Sequence, residues 1–134
     1  MEIGSLITRA VLTVEESDSF SDAAIWMMER GVGSAVVMKD GKPTGIITDR
    51  DALRVIARGG DMASMTVKDC VTRGLKTVTP SLNILEAARV MRDKGFRHLV
   101  VTDDSGELYG VFSMRDLVVG LLEERAGLAA AAQA

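Results

Sequence analysis

Hydrophobic positions in the first half of the chain alternate between short apolar runs and helical spacing, which predicts a β-α-β-β-α order of elements. Ser19-x-x-Asp22 is a typical helix start, and Gly31 is a typical helix end. The pair Asp40-Gly41 between two apolar runs is typical of a tight β-hairpin. The predicted elements are a strand at 12–14, a helix from Ser19 to Gly31, strands at 35–38 and 44–48, and a helix at 49–57.

The second half of the chain repeats this pattern. Residues 3 to about 54 align with residues 67 to about 119 at an offset of 64, and Asn83 and Glu86 open the helix that corresponds to the first one. The offset becomes 65 at the hairpin tip, where an insertion costs little. The sequence therefore predicts that a whole structural unit has been duplicated, with residues 58–62 as the link.

Composition places the chain among ordinary globular proteins. It has 134 residues, 47% hydrophobic and 26% charged, which excludes disordered and collagen-like classes. The formal net charge is −3, no stretch concentrates basic residues, and aromatic residues make up only 4%. Because nucleic-acid binding needs a basic stripe or stacking aromatics, we expect no nucleic-acid partner.

The sequence also bears on the location of the protein and on the redox state of its cysteine. The N-terminal residues have no basic region followed by an apolar core, and no run of eighteen apolar residues occurs. The single cysteine, Cys70, cannot form an internal disulfide and reads as a small buried thiol. We therefore expect a cytoplasmic protein without a membrane partner.

The sequence has few of the residues that catalytic sites usually contain. With one histidine and one cysteine, zinc sites and Cys-His or Ser-His-Asp arrangements have almost no material. The glycines at 31, 33, 41 and 45 form neither a P-loop nor a dinucleotide fingerprint. We expect a binding protein rather than an enzyme, with no metal and no resident cofactor.

Both repeats carry a Ser/Thr-x-x-Asp motif at the start of their last predicted helix. The motifs are Thr48-x-x-Asp51 and Ser113-x-x-Asp116. One interpretation is a capping box, which stabilises the helix and has no further role. The other is a ligand site, because a helix N-terminus offers N–H groups to phosphate and a carboxylate accepts hydrogen bonds from ribose hydroxyls.

The repeated pattern resembles the CBS domain pair, or Bateman module, from Ile3 to about Arg125. The specific segments are Gly45-Ile46-Ile47-Thr48-Asp49-Arg50-Asp51 and Gly110-Val111-Phe112-Ser113-Met114-Arg115-Asp116, which match the family's G-apolar-apolar-[Ser/Thr]-x-x-Asp ending. Val36 and Val100 stand where many members carry proline at the first hairpin strand. The resemblance implies an α+β fold of tandem β-α-β-β-α units packed pseudo-two-fold. We expect CBS domains at 1–62 and 63–126, and a flexible tail at 127–134.

The resemblance also implies a regulatory module that binds an adenine nucleotide, AMP, ADP or ATP, in the clefts of the pair. Alternatives are a structural or protein-interaction module without a nucleotide, or a sensor of S-adenosylmethionine or a dinucleotide. In the first copy the implied site residues are Thr13, Val14, Val32, Gly33, Ser34, Thr48, Arg50 and Asp51. In the second copy they are Thr77, Val78, Phe96, Arg97, His98, Leu99, Ser113, Arg115 and Asp116.

The two copies differ in charge at these positions. Arg97 and His98 replace Gly33 and Ser34, so the second site is expected to prefer ligands with more phosphate charge. Both sites are expected to seat the base against their apolar residues, although such residues also form cores.

The predicted helices carry more apolar residues than one buried face requires, for example Met28 in the first and Leu121 in the last. Since large apolar patches are rare on monomers, we expect a homodimer through the helices. A regulated partner protein is also possible for such a module.

Overall fold

The computed structural model describes residues 1–7, 10–71 and 75–133, with side chains described to residue 128. The chain forms two compact units. The first unit is Ala10–Leu75, and the second unit joins Met1–Arg9 to Lys76–Ala134. Each unit contains one three-stranded sheet and its helices, so the predicted α+β class of two repeated units is confirmed.

In the first unit the central strand pairs in parallel with the strand before it and antiparallel with the strand after it. The elements are β1 (Thr13–Glu15), α1 (Phe20–Arg30), β2 (Ser34–Lys39), β3 (Lys42–Thr48), α2 (Asp49–Ala57) and α3 (Val67–Cys70), with a 3-10 turn at Met62–Ser64. The sheet order is β1-β2-β3. All five predicted elements of this copy are confirmed.

The second unit has the same topology. Its elements are a 3-10 turn at Ile3–Ser5, β4 (Thr77–Val78), α4 (Ile84–Lys94), β5 (His98–Thr102), β6 (Leu108–Ser113) and α5 (Met114–Gln133). The sheet order is β4-β5-β6, and Thr77 pairs with Val100 as Thr13 pairs with Val36.

Turn and cap residues explain where the elements end. Asp40 and Gly41 have φ values of 52° and 78°, which is the left-handed geometry of the tight hairpin that the sequence predicted. The hydroxyl of Ser19 accepts a hydrogen bond from Asp22 N at 3.5 Å at the start of α1. Gly31 closes the same helix in the left-handed conformation at φ 64°.

The hydrophobic core of each unit includes a residue from the segment that precedes the other repeat in the sequence. Ile3 is buried with Ile84, Met91 and Phe112 in the second unit, whereas Val67 is buried with the core of the first unit. The predicted boundary between residues 62 and 63 therefore separates the two sequence repeats. The compact units differ from these repeats, because each unit contains the segment that precedes the other repeat.

The end of the chain is helical. We expected a flexible tail at 127–134, but α5 continues to Gln133. Alanine has the highest helix propensity, which explains why the alanine-rich end extends the helix. Flexibility of this end stays a prediction, and Ala134 lies outside the described residues.

Candidate functional site

The start of α2 holds the first Ser/Thr-x-x-Asp motif. Asp51 Oδ2 accepts hydrogen bonds from Thr48 N at 2.8 Å and from Thr48 Oγ1 at 3.3 Å. Asp51 Oδ1 accepts a hydrogen bond from the guanidinium of Arg54 at 2.9 Å. The sequence analysis missed Arg54, although its i,i+3 spacing from Asp51 on a predicted helix was a usable signal.

The start of α5 holds the second motif. Asp116 Oδ2 accepts from Ser113 N at 2.8 Å, and Ser113 Oγ accepts from Asp116 N at 3.1 Å. This is the same reciprocal capping box that Thr48 and Asp51 form at α2. Ser113 Oγ accepts here, so its own proton can be donated to another group, whereas Thr48 Oγ1 also donates to Asp51 Oδ2.

Strand register brings the other predicted polar residues beside these helix starts. Ser34 pairs with Thr48, and His98 pairs with Ser113. The first helical N–H of α2 donates to Gly33 O at 3.0 Å, and that of α5 donates to Arg97 O at 2.9 Å. Arg97 and His98 therefore adjoin the motif of the second unit, as Gly33 and Ser34 adjoin that of the first.

The same register assigns these residues to one face of each sheet. Paired residues share a face, and alternate residues along a strand share a face. Thr13, Ser34 and Thr48 consequently lie opposite the core-facing Ala35 and Ile47. In the second unit, Thr77, His98 and Ser113 lie opposite the core-facing Leu99 and Phe112.

Strand β1 also offers backbone groups along its edge. Val36 N donates to Leu12 O at 3.0 Å and Glu16 N donates to Met38 O at 3.4 Å, so the alternation of a parallel ladder turns the N–H and C=O of Thr13 away from β2. The equivalent register gives Thr77 the same orientation on β4. Such groups can read the hydrogen-bonding edge of a base.

Three predicted apolar site residues have side chains on the core face of their sheets. Val14 and Leu99 are members of the two cores, and Val78 packs against the second core. Their side chains lie on the core face because they alternate with the polar site residues, so a ligand on the polar face would meet the backbone of these residues, and their part in a site stays a prediction. Val32 and Phe96, in the loops before β2 and β5, are exposed and remain available.

Arg50 and Arg115 occupy the first turns of α2 and α5 between the motif residues. Both side chains are exposed. In the part of the chain that the structure describes, no ion pair holds either guanidinium in one position, so each offers an exposed positive charge beside its helix start.

A groove of about 360 Å³ borders β1 in the first unit. It includes Thr13 and Val14 but neither Thr48 nor Asp51. Its lining carries a net negative charge, because the three carboxylates outnumber the one guanidinium: Glu15, Asp18, Glu29 and Arg30. Because carboxylates repel an anion, this groove does not suit a phosphate group. The helix start is the better candidate for the phosphate end of a ligand.

Cys70 lies near the first motif. Burial raises the pKa of its thiol, and the negative charges of Asp69 and Asp51 raise it further. The thiol is therefore protonated at neutral pH and poorly nucleophilic, which agrees with the expected structural role.

Membrane-spanning helices and metal sites are both absent from the residues that the structure describes (1–7, 10–71 and 75–133). Within these residues no helix has the length and apolar character needed to cross a membrane. The same residues contain no group of three or more His, Cys, Asp and Glu side chains that could hold a metal ion.

Comparison with known sequences identifies the repeats. The family model described as the CBS domain matches residues 3–58 and again residues 67–123. An uncharacterized protein of Methanopyrus kandleri is 32% identical over 120 residues, which cover 88% of this chain. The chain spans 61% of the length of that relative.

Solved structures agree with the sequence comparison. A CBS domain protein of Pyrobaculum aerophilum complexed with AMP is 28% identical with a TM-score of 0.80, over 87% of this chain and 89% of that one. The structure of CBSX2 in complex with AMP is 26% identical with a TM-score of 0.80, over 92% of this chain and 98% of that one. With both repeats matched and both folds shared, this chain belongs to the CBS domain family.

Proposed function

We propose that the chain is a non-catalytic regulatory module that binds an adenine nucleotide of the AMP, ADP or ATP type. The observation that carries the proposal is the shared face of Thr77, His98 and Ser113 beside the helix start of α5. Similar proteins of known structure were solved with AMP bound, which supports an adenine nucleotide as the ligand class.

Each polar group has a definite chemical task in this proposal. Asp116 accepts hydrogen bonds from the ribose hydroxyls, and Ser113 donates its proton to a ribose or phosphate oxygen. Arg97 supplies a permanent positive charge to the phosphate, and His98 adds one when it is protonated. The backbone edge of Thr77 reads the base. Thr48, Asp51, Ser34 and Thr13 are the corresponding residues of the first copy.

The proposal is tested by thermal denaturation of ligand-free protein with increasing AMP. A ligand that binds only the folded state stabilises it by about 2.7 kcal/mol at a hundredfold excess over its dissociation constant. Asp116→Ala should remove the stabilisation by AMP at the second copy. Because loss of the cap itself costs about 1 kcal/mol, the readout is the increment with AMP over the same variant without AMP.

Asp104→Ala is the matched control, since Asp104 is an exposed hairpin residue away from the motif. It should leave the increment unchanged. If neither AMP, ADP nor ATP stabilises the wild-type chain, an adenine nucleotide is not its ligand. Stabilisation by S-adenosylmethionine or a dinucleotide alone would favour those alternatives, and no stabilisation by any of them would favour an interaction module.

We also propose that the module acts as a homodimer through exposed apolar helix positions and regulates a partner protein. A cytoplasmic location stays a prediction.

A further inference from the structure

The two motif aspartates differ in the group that faces their outer carboxylate oxygen. In the first unit, Arg54 donates to Asp51 Oδ1 at 2.9 Å while Thr48 occupies Oδ2. The side chain of Asp51 is only 6% exposed, whereas that of Arg54 is 46% exposed. Both oxygens of this carboxylate are therefore engaged within the unit.

In the second unit the position equivalent to Arg54 does not hold a cation. The residue three positions after Asp116 is Val119, which is 43% exposed and cannot donate a hydrogen bond. Among residues 1–7, 10–71 and 75–133, no ion pair reaches Asp116, and its described hydrogen bond uses Oδ2. Oδ1 of Asp116 is thus not paired with a cation in the way that Oδ1 of Asp51 is.

This difference matters for a ribose. A diol binds a carboxylate by donating both hydroxyls, which requires acceptor capacity on the outer oxygen. Asp51 already accepts two hydrogen bonds on Oδ2 and one on Oδ1, so only one of about four acceptor positions remains for the two hydroxyls until Arg54 is displaced. The charged hydrogen bond that is lost corresponds to about a 10- to 100-fold change in an equilibrium constant. At Asp116 no such displacement is needed.

We propose that Arg54 weakens ligand binding at the first copy by occupying its ribose-binding carboxylate, in addition to the replacement of Arg97 and His98 by Gly33 and Ser34 there. The inference rests on the proposed function. The second copy then binds AMP first, and Arg54 accounts for about 10- to 100-fold of the weaker binding at the first copy.

The test exchanges the two equivalent residues in the full chain. Arg54→Val gives the first copy the residue of the second, and Val119→Arg does the reverse. Isothermal titration with AMP should give a tight and a weaker event for the wild type, a weaker event that tightens by about 10- to 100-fold for Arg54→Val, and a weakened tight event for Val119→Arg. The double variant Arg54→Val with Asp116→Asn should keep one event, which belongs to the first copy.

Arg58→Val is the control, because it removes the same charge from the exposed end of α2, away from Asp51. It should titrate like the wild type. The same events with unchanged affinities in the wild type and Arg54→Val would overturn the inference and leave the proposed function standing. Weaker binding by Arg54→Val would also overturn it, since Arg54 would then contact the ligand.

Absence of AMP binding to the wild type and to both exchange variants would overturn the proposed function together with the inference. Melting of each ligand-free variant shows whether it is folded. Val119→Arg places a charge at an exposed position, so its result stands even if Arg54→Val, which leaves the buried Asp51 without its cation, proves unstable.

Discussion

At each helix start one carboxylate can stabilise the helix and bind a ligand at the same time. Sequence alone presents capping and binding as competing interpretations of the motif, because both use the same Asp. In the structure, Asp116 caps α5 through Oδ2 alone. The outer oxygen points away from the cap, so a ribose does not have to displace the backbone N–H of Ser113. Under the proposed function, the cap would therefore also hold the carboxylate in place for the ligand.

Arg97 allows a test of whether the second site prefers ligands that carry phosphate charge. Arg97→Ala should weaken AMP binding by about 10- to 100-fold, since a charged hydrogen bond contributes about 1.5–3 kcal/mol, and should change adenosine binding little. The difference should shrink as salt is raised, because ions screen an exposed charge. Calorimetry with both ligands measures it. Equal losses for AMP and adenosine would mean that Arg97 does not contact the phosphate.

Elements of the fold were predictable where local chemistry decides them. The pair Asp40-Gly41, the Ser19 cap and the terminal Gly31 each specify their element by a short-range mechanism, and α2 spans Asp49–Ala57 as predicted. The 3-10 turn Ile3–Ser5 and the four-residue helix α3 were not predicted. Elements of three or four residues are too short to show a hydrophobic period.

Helix α5 packs differently from α2 because of one residue. A Cβ on Gly120 would lie 2.3 Å from Ile84 Cδ1 and 2.5 Å from Leu6 Cδ1, so glycine permits this close approach. The equivalent position in α2 is Val55, and the residue equivalent to Leu6 is the smaller Cys70. The two repeats thus fill the same space with opposite combinations of large and small side chains.

Gly120→Ala should therefore destabilise the protein despite the better helix propensity of alanine. Overpacking costs about 1–3 kcal/mol, which offsets the gain of about 1 kcal/mol in propensity. Gly127→Ala is the matched control on the same helix, because nothing lies within 4 Å of its added Cβ. It should be neutral or stabilising by up to about 1 kcal/mol. Urea denaturation measures both, and equal effects would contradict the packing argument.

At the scale of the whole molecule, the duplication was readable from the sequence and the exchange of opening segments was not. Ile3 and Val67 align with each other, yet each is buried with the core of the other repeat. An apolar residue at either position could be buried in either core, so the local sequence pattern does not predict which core buries it.

Exposed apolar residues on the helices bear on assembly. Met28 is 83% exposed and Leu122 is 63% exposed. Pairs at i,i+3 spacing form outward apolar stripes on α1 and α2, namely Ile25 with Met28 and Leu53 with Ile56. On α5 the equivalent stripe contains Val118, Leu121 and Leu122. Residues at these spacings form continuous surfaces rather than scattered exposures, which is the pattern of an association surface.

The homodimer prediction follows from these stripes. Light scattering at micromolar concentration should give twice the chain mass of 14.3 kDa. Met28→Asp or Leu121→Asp should give a monomer, because each would bury an unpaired carboxylate in the contact, and a buried unpaired charge is strongly destabilising. Met28→Leu keeps the position apolar and should remain a dimer, which separates loss of contact from loss of the methionine itself.

Circular dichroism checks that the variants are folded. Because Met28 is exposed in the single chain, Met28→Asp should still give the circular dichroism spectrum of a folded protein. A wild-type mass near 14.3 kDa would refute the dimer. A dimeric Met28→Asp with a monomeric Leu121→Asp would assign the contact to α5 rather than to α1.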